Sequence, residues 1–400
     1  MCGSTNLHKF LDLGAQPLAN AFLTKEQLGE PEPMYPLEVY WCAGCSLAQL
    51  IHAVDPSVLF RDYVYFSMGM PKLSSHFKEY AEDAVSRFVT DKNQLVVEIG
   101  SNDGILLHSI KDRVRVLGID PARNIAKVAN ERGVETLPEF FSEELAKKVR
   151  TTYGPARIMI GNNVVAHIND HHDLLRGASA LLDEDGVFIF EAPYLVDMFE
   201  NLTFDTVYHE HLSYLAVRPV VKLFVAHGLE VFDVKTFPVQ GVSLRVYAGF
   251  PGRHTVSPSV QVLSEDEQRR GLGSFEAYGE LARRIADLKE EVNARLRALK
   301  KSGKRLAGYG APAKGNTLLN YYKIGPAVLD YLTETLPSKV GSYSPGTHIP
   351  VIHITEARKD PTDHYVLLAW NYLKTILEQE LEFKKRGGTF VIPVGHTREM

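Results

Sequence analysis

The fold of this chain is decided by the stretch Leu95-Val96-Val97-Glu98-Ile99-Gly100-Ser101-Asn102-Asp103-Gly104. An apolar run typical of a buried strand meets glycines at a turn, and the pattern of Ile105–Ile110 then predicts a helix. A second short apolar run ends near Asp120, about twenty residues past the first glycine, where a ribose-binding acid is expected. This order predicts a nucleotide site in a parallel α/β sheet, because glycines let the main chain approach the ligand.

The acids around this loop indicate the class of ligand. The spacing is Glu-x-Gly-x-x-x-Gly rather than Gly-x-Gly-x-x-Gly, with one carboxylate in the strand and another in the loop. Negative charges suit a cationic, ribose-bearing cofactor better than a pyrophosphate, so we predict S-adenosylmethionine (SAM). The expected cofactor-binding residues are Glu98, Gly100, Asp103, Gly104, Asp120, Phe140 and Asn163. Gly100 and Gly104 would let the ligand approach the main chain, and Glu98 and Asp103 would face the methionyl ammonium group directly or through water. Asp120 would bind the ribose, and Phe140 and Asn163 would lie near the adenine.

Composition limits the class of protein. A chain of 400 residues predicts two or three domains. The net charge of -5, with scattered or helical Lys and Arg, argues against a nucleic-acid or membrane-surface binder. No apolar run approaches the roughly 18 to 20 residues of a spanning helix, and no signal peptide is visible at the start. Three cysteines are too few for a disulfide framework, so we expect a cytoplasmic protein without nucleic-acid or membrane partners.

Alternating strand and helix patterns predict a doubly wound parallel sheet in the middle of the chain, after a helical period over Leu73–Asp91. The expected strands are Leu95–Ile99, Val114–Ile119, Val134–Leu137, Arg157–Gly161 and Val187–Glu191, followed by an antiparallel pair, Leu229–Val239 and Gly241–Phe250, at the end of the sheet.

A second Rossmann-like α/β unit is expected near the C-terminus, behind a long connecting helix over Ser257–Lys301. Its expected elements are a strand and glycine turn over Arg305–Ala311, strands Ala327–Thr333 and Tyr365–Ala369, a helix Asn371–Lys385 and a strand Thr389–Val394. We therefore predict an α/β protein in three parts: 1–70, 71–256 and 257–400.

Cys42-Ala43-Gly44-Cys45 forms a C-x-x-C motif, with Cys2 forty residues upstream. A structural zinc site normally needs four tetrahedral ligands. The missing ligand could lie upstream of this start, or come from His8, Asp12 or solvent; a C-x-x-C without metal is the remaining alternative. A redox role is not expected, because no thioredoxin-like βαβ pattern surrounds the motif.

The segment Tyr208-His209-Glu210-His211 carries the strongest signal for chemistry. Histidine can move protons near neutral pH, and an adjoining carboxylate can orient it. A metal site through these residues is a weaker interpretation, and a buried polar cluster with no catalytic task remains open. His167, after the fourth strand, is expected to face the substrate, whereas His171 and His172 are expected to begin a solvated helix.

Short motifs occur along the whole chain. They are Cys2-Gly3-Ser4, Leu11-Asp12-Leu13-Gly14-x-x-Pro17-Leu18-Ala19-Asn20, Cys42-x-x-Cys45, Tyr63-x-Tyr65, the glycine loop, Tyr208-His209-Glu210-His211, Gly308-Tyr309-Gly310-Ala311-Pro312-Ala313-Lys314-Gly315-Asn316-Thr317, Ser344-Pro345-Gly346-Thr347-His348-Ile349-Pro350 and Leu368-Ala369-Trp370-Asn371. In this order they closely resemble the three-domain, SAM-dependent deoxysugar C-methyltransferases of the mycarose and tetronitrose type, which act on nucleotide-linked keto sugars.

The resemblance implies a separate binding role for each of the three parts of the chain. An N-terminal lobe would hold structural zinc through four cysteines, of which Cys2, Cys42 and Cys45 are present here. The middle lobe would bind SAM, and the C-terminal Rossmann-like lobe would help to hold the nucleotide sugar. The substrate-binding residues implied are Lys314 and Asn316, near the diphosphate, and His348, near the sugar or base.

The resemblance also implies the catalytic residues, which are His211, Glu210, Tyr208, Tyr63 and His167. His211, oriented by Glu210, would remove the C3 proton of a nucleotide-linked 4-keto-6-deoxyhexose, and the enolate would accept the methyl group. Tyr208, Tyr63 or His167 would hydrogen-bond the oxyanion. An O- or N-methyltransferase and a non-catalytic relative are the alternatives, and the oligomeric state is open.

Overall fold

The computed structural model describes residues 1–61, 71–239 and 241–395, with the main chain only for 71–73. Within these ranges the strands form three sheets. The first belongs to the N-terminal part of the chain, the second to the middle and the third to the C-terminal part. The α/β class predicted from the sequence is confirmed, whereas the domain limits after residues 70 and 256 stay a prediction.

The middle sheet has the strand order β10-β11-β8-β7-β4-β5-β6 among the described residues. Its strands are β4 (Leu95–Ile99), β5 (Arg115–Ile119), β6 (Thr136–Leu137), β7 (Ala156–Asn162), β8 (Leu182–Pro193), β10 (Glu230–Phe237) and β11 (Ser243–Gly249). All neighbours are parallel except the pairs that β11 makes with β8 and β10. The predicted doubly wound sheet with an antiparallel pair at one end is therefore confirmed.

The order of strands reverses between β4 and β7, and ligands of open α/β sheets bind outside the carboxyl ends of strands at such a point. All five residues of β4 are buried, since helices cover both faces of the sheet. The glycine loop follows β4 directly. The sheet therefore places this loop where a cofactor is expected.

Helices surround the sheets. They are α1 (Pro56–Phe60), α2 (Pro71–Phe88), α3 (Ile105–His108), α4 (Arg123–Glu131), α5 (Glu143–Tyr153), α6 (His171–Leu181), α7 (Leu195–Asn201), α8 (Val217–Val225), α9 (Pro258–Arg269), α10 (Phe275–Lys301), α11 (Ala313–Tyr322), α12 (Ile354–Ala357), α13 (Leu373–Gln379) and α14 (Leu381–Lys385). Among these described helices, none is both long and apolar enough to cross a membrane.

Three expectations about helices were wrong. The single helix over 257–301 is two helices, α9 and α10, because the chain turns at Gly271 with φ +81°. The helix over 371–385 is divided at Glu380, whose carboxylate accepts hydrogen bonds from Tyr309 and Arg358. His171 does begin α6 but is buried rather than solvated, since its Nε2 lies 3.1 Å from the carbonyl oxygen of Val165.

The N-terminal sheet has the order β1-β2-β3-β9 among the described residues. Its strands are β1 (Leu7–Gln16), β2 (Tyr35–Cys42), β3 (Ala48–Leu50) and β9 (Ser213–Tyr214). The last of these comes from the middle of the chain, directly after His211, and pairs antiparallel with β3. The amide of Leu50 donates a further hydrogen bond to the carbonyl of Leu212. This lobe is therefore tied to the segment Tyr208–His211.

The C-terminal sheet is parallel, with the order β14-β13-β12-β15-β16 among the described residues. Its strands are β12 (Leu306–Tyr309), β13 (Leu332–Glu334), β14 (Val351–His353), β15 (His364–Leu367) and β16 (Thr389–Val391). The sequence predicted four of these strands and missed β14. The order reverses between β12 and β15, so this sheet has its own crevice at the carboxyl ends of those strands.

Candidate active site

The glycine loop after β4 is packed too closely for any other residue. Gly100 has φ +61°, and a Cβ atom there would stand 2.2 Å from Cγ2 of Val164 in the loop after β7. Gly104 has φ +76° and begins α3, and its Cβ would stand 3.1 Å from Val134. The left-handed region suits glycine because it has no Cβ atom. Glycines at these two positions therefore let main-chain amides line the pocket, as a nucleotide site requires.

Three carboxylates converge behind this loop. Glu98 and Asp103 are buried, and Asp120 at the end of β5 is 7 % exposed. Burial and the neighbouring carboxylates raise the pKa of Glu98 and of Asp120. Oε2 of Glu98 is buried without a hydrogen-bond partner in the described part of the chain. A nearby cation would favour the charged form of these carboxyl groups, so the cluster with its unsatisfied oxygen suits a cationic ligand, and SAM carries both a sulfonium and an ammonium group.

Two of these acids already have contacts that hold the loop. Asp120 accepts hydrogen bonds from the amides of Asn102, at 2.8 Å, and Ala122, at 2.9 Å. Asp103 lies 3.4 Å from Nη1 of Arg132. Carboxylate oxygens have further lone pairs, so Asp120 can hold the glycine loop and also accept from a ribose hydroxyl. The ligand contacts of both acids stay predictions.

Asn163 and Phe140 lie at the edge of this pocket. Asn163 has φ +52°, its amide donates to the carbonyl of Glu191, and it precedes the Val164 that contacts the glycine loop. Phe140 lies beneath the guanidinium group of Arg61, whose Cζ is 4.7 Å from the ring centroid. Arg61 follows α1, so the N-terminal part of the chain contacts Phe140. A role for either residue at the adenine stays a prediction.

The imidazole of His211 is held in one tautomer. Its Nδ1 lies 2.7 Å from the main-chain carbonyl oxygen of Thr206, and because a carbonyl can only accept, Nδ1 carries the hydrogen. Nε2 is left with its lone pair, and no described residue hydrogen-bonds it. Burial lowers the pKa of His211 to about 4, with a contribution from Lys314. The ring is therefore neutral and able to accept a proton at Nε2.

Four aromatic rings form a column through His211. Its ring is 4.1 Å from that of Tyr208 and stacks on His167 at 4.9 Å, and His167 stacks on Phe60 at 5.6 Å, all measured between centroids. Burial and the nearby His211 hold the pKa of His167 well below its usual range. The structure therefore brings together three predicted catalytic residues, Tyr208, His167 and His211, and adds Phe60, which sequence reasoning missed.

The other residues of the segment turn towards the N-terminal lobe. Oε1 of Glu210 accepts a 2.6 Å hydrogen bond from Asn20, and Nε2 of His209 lies 3.3 Å from the carbonyl oxygen of Tyr35. The Thr206 carbonyl holds the ring of His211 at Nδ1, and an orienting role of Glu210 stays a prediction. Tyr63 lies outside the described residues.

Lys314 reaches this site from the C-terminal lobe. It stands at the start of α11, beyond β12, with Nζ 4.5 Å from the ring centroid of Trp370. The indole Nε1 of Trp370 donates a 2.6 Å hydrogen bond to Asp205, which precedes Thr206. Asp205 is fully buried, and burial raises its pKa to about 6, with Lys314 and Trp370 acting in the opposite direction. Sequence reasoning gave no role to Asp205 or Trp370.

Asn316 and His348 both contact the N-terminal lobe. Asn316 is fully buried, and its Nδ2 donates a 2.8 Å hydrogen bond to the carbonyl of Ala19. This hydrogen bond joins two lobes, and a contact of Asn316 with the diphosphate stays a prediction. Nε2 of His348 lies 2.6 Å from Oε1 of Glu32, so it too contacts the N-terminal lobe; its contact with a sugar or base stays a prediction.

The three cysteines form one cluster. Their sulfur atoms lie within 4.8 Å of one another, and those of Cys2 and Cys42 are 3.5 Å apart. Zinc–sulfur bonds of about 2.3 Å in a tetrahedron place two sulfurs about 3.8 Å apart. The amides of Gly44 and Cys45 point at the sulfur of Cys42, which suits a thiolate. The cluster therefore fits a zinc ion, and no described His, Asp or Glu, including His8 and Asp12, joins it.

Comparison with known proteins assigns the three parts of the chain. Residues 1–60 match the family described as "Putative zinc binding domain", residues 73–234 match "Methyltransferase domain", and residues 238–395 match "C-methyltransferase C-terminal domain". The C-methyltransferase NovU of Streptomyces niveus is 38% identical over 400 residues, which are 100% of this chain and 95% of NovU.

Among solved structures, similarity is limited to part of the chain. A SAM-dependent methyltransferase from Clostridium acetobutylicum is 11% identical over 45% of this chain and 92% of its own, with a TM-score of 0.36. The CcbJ methyltransferase from Streptomyces caelestis is 11% identical over 44% of this chain and 89% of its own, with a TM-score of 0.35. These scores are low, and the assignment depends on the sequence matches. The chain therefore belongs to the SAM-dependent C-methyltransferase family that includes NovU, and its Cys2, Cys42 and Cys45 form the zinc-binding cluster of its N-terminal part.

Proposed function

We propose that this C-methyltransferase acts on a nucleotide-linked 4-keto-6-deoxyhexose and methylates carbon 3 after removing its proton. The observation that carries the proposal is Nε2 of His211, which keeps its lone pair because Nδ1 donates to Thr206 and which no residue in the described ranges hydrogen-bonds. A carbon next to a ketone becomes nucleophilic only when it loses a proton, so a C-methyltransferase of this kind needs a positioned base. O- or N-methylation needs no such deprotonation.

His211 has the properties that this step requires. Its low pKa keeps the ring neutral, and the bond to Thr206 fixes the direction of the lone pair. A positioned general base contributes about 100- to 10,000-fold to the rate. When SAM is bound it supplies an electrophilic methyl group. Tyr208 and His167, whose rings contact or stack on that of His211, are near enough to hydrogen-bond the oxygen of the enolate.

The acceptor class is supported by two further features. The motifs along the chain resemble those of enzymes that act on nucleotide-linked keto sugars. The C-terminal sheet also directs the carboxyl ends of β12 and β15 towards the turn that holds His211, because Trp370 and Asp205 are hydrogen-bonded across the two lobes. A substrate bound in that crevice would meet the base.

The test is hydrogen exchange in heavy water with S-adenosylhomocysteine in the cofactor site. Wild-type protein is incubated with dTDP-, GDP- and CDP-linked 4-keto-6-deoxyhexoses, and the ring C–H signals are followed by NMR. We expect loss of the C3 signal without methyl transfer, and His211→Asn should abolish both exchange and turnover while it still binds S-adenosylhomocysteine in calorimetry.

The matched control is His172→Asn, because His172 lies 2.7 Å from His227 on another face of the middle lobe. This variant should exchange at the wild-type rate. Full activity of His211→Asn would show that His211 is not the base. Methyl transfer to oxygen or nitrogen, with no C3 exchange by the wild type, would replace the proposal by O- or N-methylation.

A further inference from the structure

The ammonium group of Lys314 is a positive charge that has no role in the proposed removal of the C3 proton by His211. Lys314 lies in the crevice of the C-terminal sheet, just beyond β12 and opposite the loop after β15 that carries Trp370. It is partly buried, and in the described part of the chain Nζ makes no hydrogen bond or ion pair. Its contact is the ring of Trp370. A partly buried cation without a hydrogen-bonded partner loses part of its hydration, which a ligand oxygen would replace.

A series of contacts connects Lys314 to His211. Trp370 holds the lysine on one face and donates to Asp205 through its Nε1, and the next residue, Thr206, accepts from Nδ1 of His211. A single 3-10 turn, Phe204–Thr206, thus positions both the cation and the base. Burial lowers the pKa of Lys314, while Asp205 and Asp197 raise it and favour the charged form.

We propose that the Lys314 ammonium group binds the C4 oxygen of the keto sugar and stabilises the enolate that His211 generates, an inference that rests on the proposed function. Nε2 of His211 takes the C3 proton, and the electrons of the C3–H bond form a C3–C4 double bond. The π electrons of the carbonyl move to the C4 oxygen, beside Lys314. When C3 then takes the methyl group from SAM, the methyl–sulfur bond breaks, its electron pair stays on sulfur and S-adenosylhomocysteine leaves. The C4 carbonyl returns, and the imidazolium releases its proton to solvent.

The position favours the C4 oxygen over the diphosphate, where the sequence placed Lys314. The C4 oxygen is attached to the carbon next to the one that loses its proton, so its partner must lie beside the base. The diphosphate is attached at C1, across the ring. Lys314 contacts Trp370, which donates to Asp205, and the next residue, Thr206, holds the ring of His211.

The experiment separates catalysis from binding. Lys314→Gln removes the charge, and Lys314→Arg keeps it. Lys289→Gln is the control, since Lys289 also lies over an aromatic ring, with Nζ 4.2 Å from the centroid of Tyr321, but outside the crevice. C3 exchange at saturating sugar nucleotide is measured with S-adenosylhomocysteine present, and affinity for the same sugar nucleotide is measured by calorimetry.

We expect Lys314→Gln to slow saturated exchange about 100- to 1,000-fold, the effect of removing one oxyanion donor. Its affinity for the sugar nucleotide should change by less than about threefold, because the interaction forms with the enolate. Lys314→Arg should recover part of the rate, and Lys289→Gln should match the wild type. Loss of the cation should also raise the pKa of His211, so the acid limb of the exchange profile should move to higher pH.

Two results would overturn the role of Lys314 alone. One is exchange by Lys314→Gln at the wild-type rate. The other is an affinity at least about tenfold weaker with saturated exchange unchanged, which would assign the lysine to the diphosphate. Absence of C3 exchange in the wild type would instead refute the proposed function itself. Failure of the lysine proposal and failure of the proposed function are therefore distinguishable.

Discussion

Replacing Gly100 by alanine tests the packing on which the cofactor pocket depends. The new Cβ would stand 2.2 Å from Cγ2 of Val164, where carbon atoms normally lie about 3.5 to 4.0 Å apart. The main chain also has φ +61°, a region that disfavours residues with a Cβ atom. The substitution therefore combines a conformational cost with a steric one.

The two costs can be separated by a control. The left-handed conformation costs about 1 to 2 kcal/mol for a residue other than glycine. Overpacking costs about 1 to 3 kcal/mol more. Gly228, with φ +68°, has no described atom within 4 Å of its would-be Cβ, so Gly228→Ala carries the first cost alone. We expect Gly100→Ala to be less stable than Gly228→Ala by about 1 to 3 kcal/mol.

The assay is urea unfolding followed by circular dichroism, with affinity for S-adenosylhomocysteine measured by calorimetry. Gly100→Ala should weaken binding at least about tenfold, and Gly228→Ala should leave it unchanged. Adding Val164→Ala to Gly100→Ala removes the clashing methyl group and should restore part of the stability. If Gly100→Ala is no less stable than Gly228→Ala, or Val164→Ala brings no recovery, the close packing of the loop is refuted.

Two further predictions concern protons and metal. The pKa of His211 and that of His171 are each lowered from 6.5 to about 4 by burial, so the unfolded chain binds more protons between these values and stability should fall as pH decreases from 6.5 to 4. Each histidine contributes at most about 3 kcal/mol to this loss of stability. In His171→Gln the melting temperature should therefore fall less between pH 7 and pH 5 than in the wild type, and an equal fall would contradict this prediction. Purified protein should contain about one zinc per chain, lost in Cys42→Ser together with part of the melting temperature. His8→Ala should keep its zinc, because the ring of His8 contacts those of Trp41 and Phe275 instead; metal loss in that variant would make His8 a ligand.

The glycine loop could be predicted from the sequence because its determinants are local. Strand β4 has the bounds that the apolar run predicted, and Gly100 and Gly104 both adopt positive φ. A strand, a turn and a helix that follow one another in the chain have residue preferences of their own. The same holds for the C-x-x-C motif and for the turn after β12, which were found without knowledge of the tertiary structure.

The contacts that orient the site could not be predicted, because they involve main-chain groups or residues far apart in the chain. The acceptor for His211 is a main-chain carbonyl, which any residue at position 206 would supply. Strand β9 has only two residues and exists because β3 pairs with it. The motif around Asn316 does not reveal that its side chain donates to the carbonyl of Ala19, which is 297 residues away.

The pairing of β3 with β9 has a consequence for engineering. A hybrid enzyme that takes its first sixty residues from a relative would replace one side of this ladder and keep the other, directly beside the proton acceptor. The hydrogen bond from Trp370 to Asp205 sets the same condition for exchange of the C-terminal lobe. New acceptor specificity is therefore more safely built by point substitutions within the crevice than by exchanging whole lobes, since both lobes contact the chain close to His211.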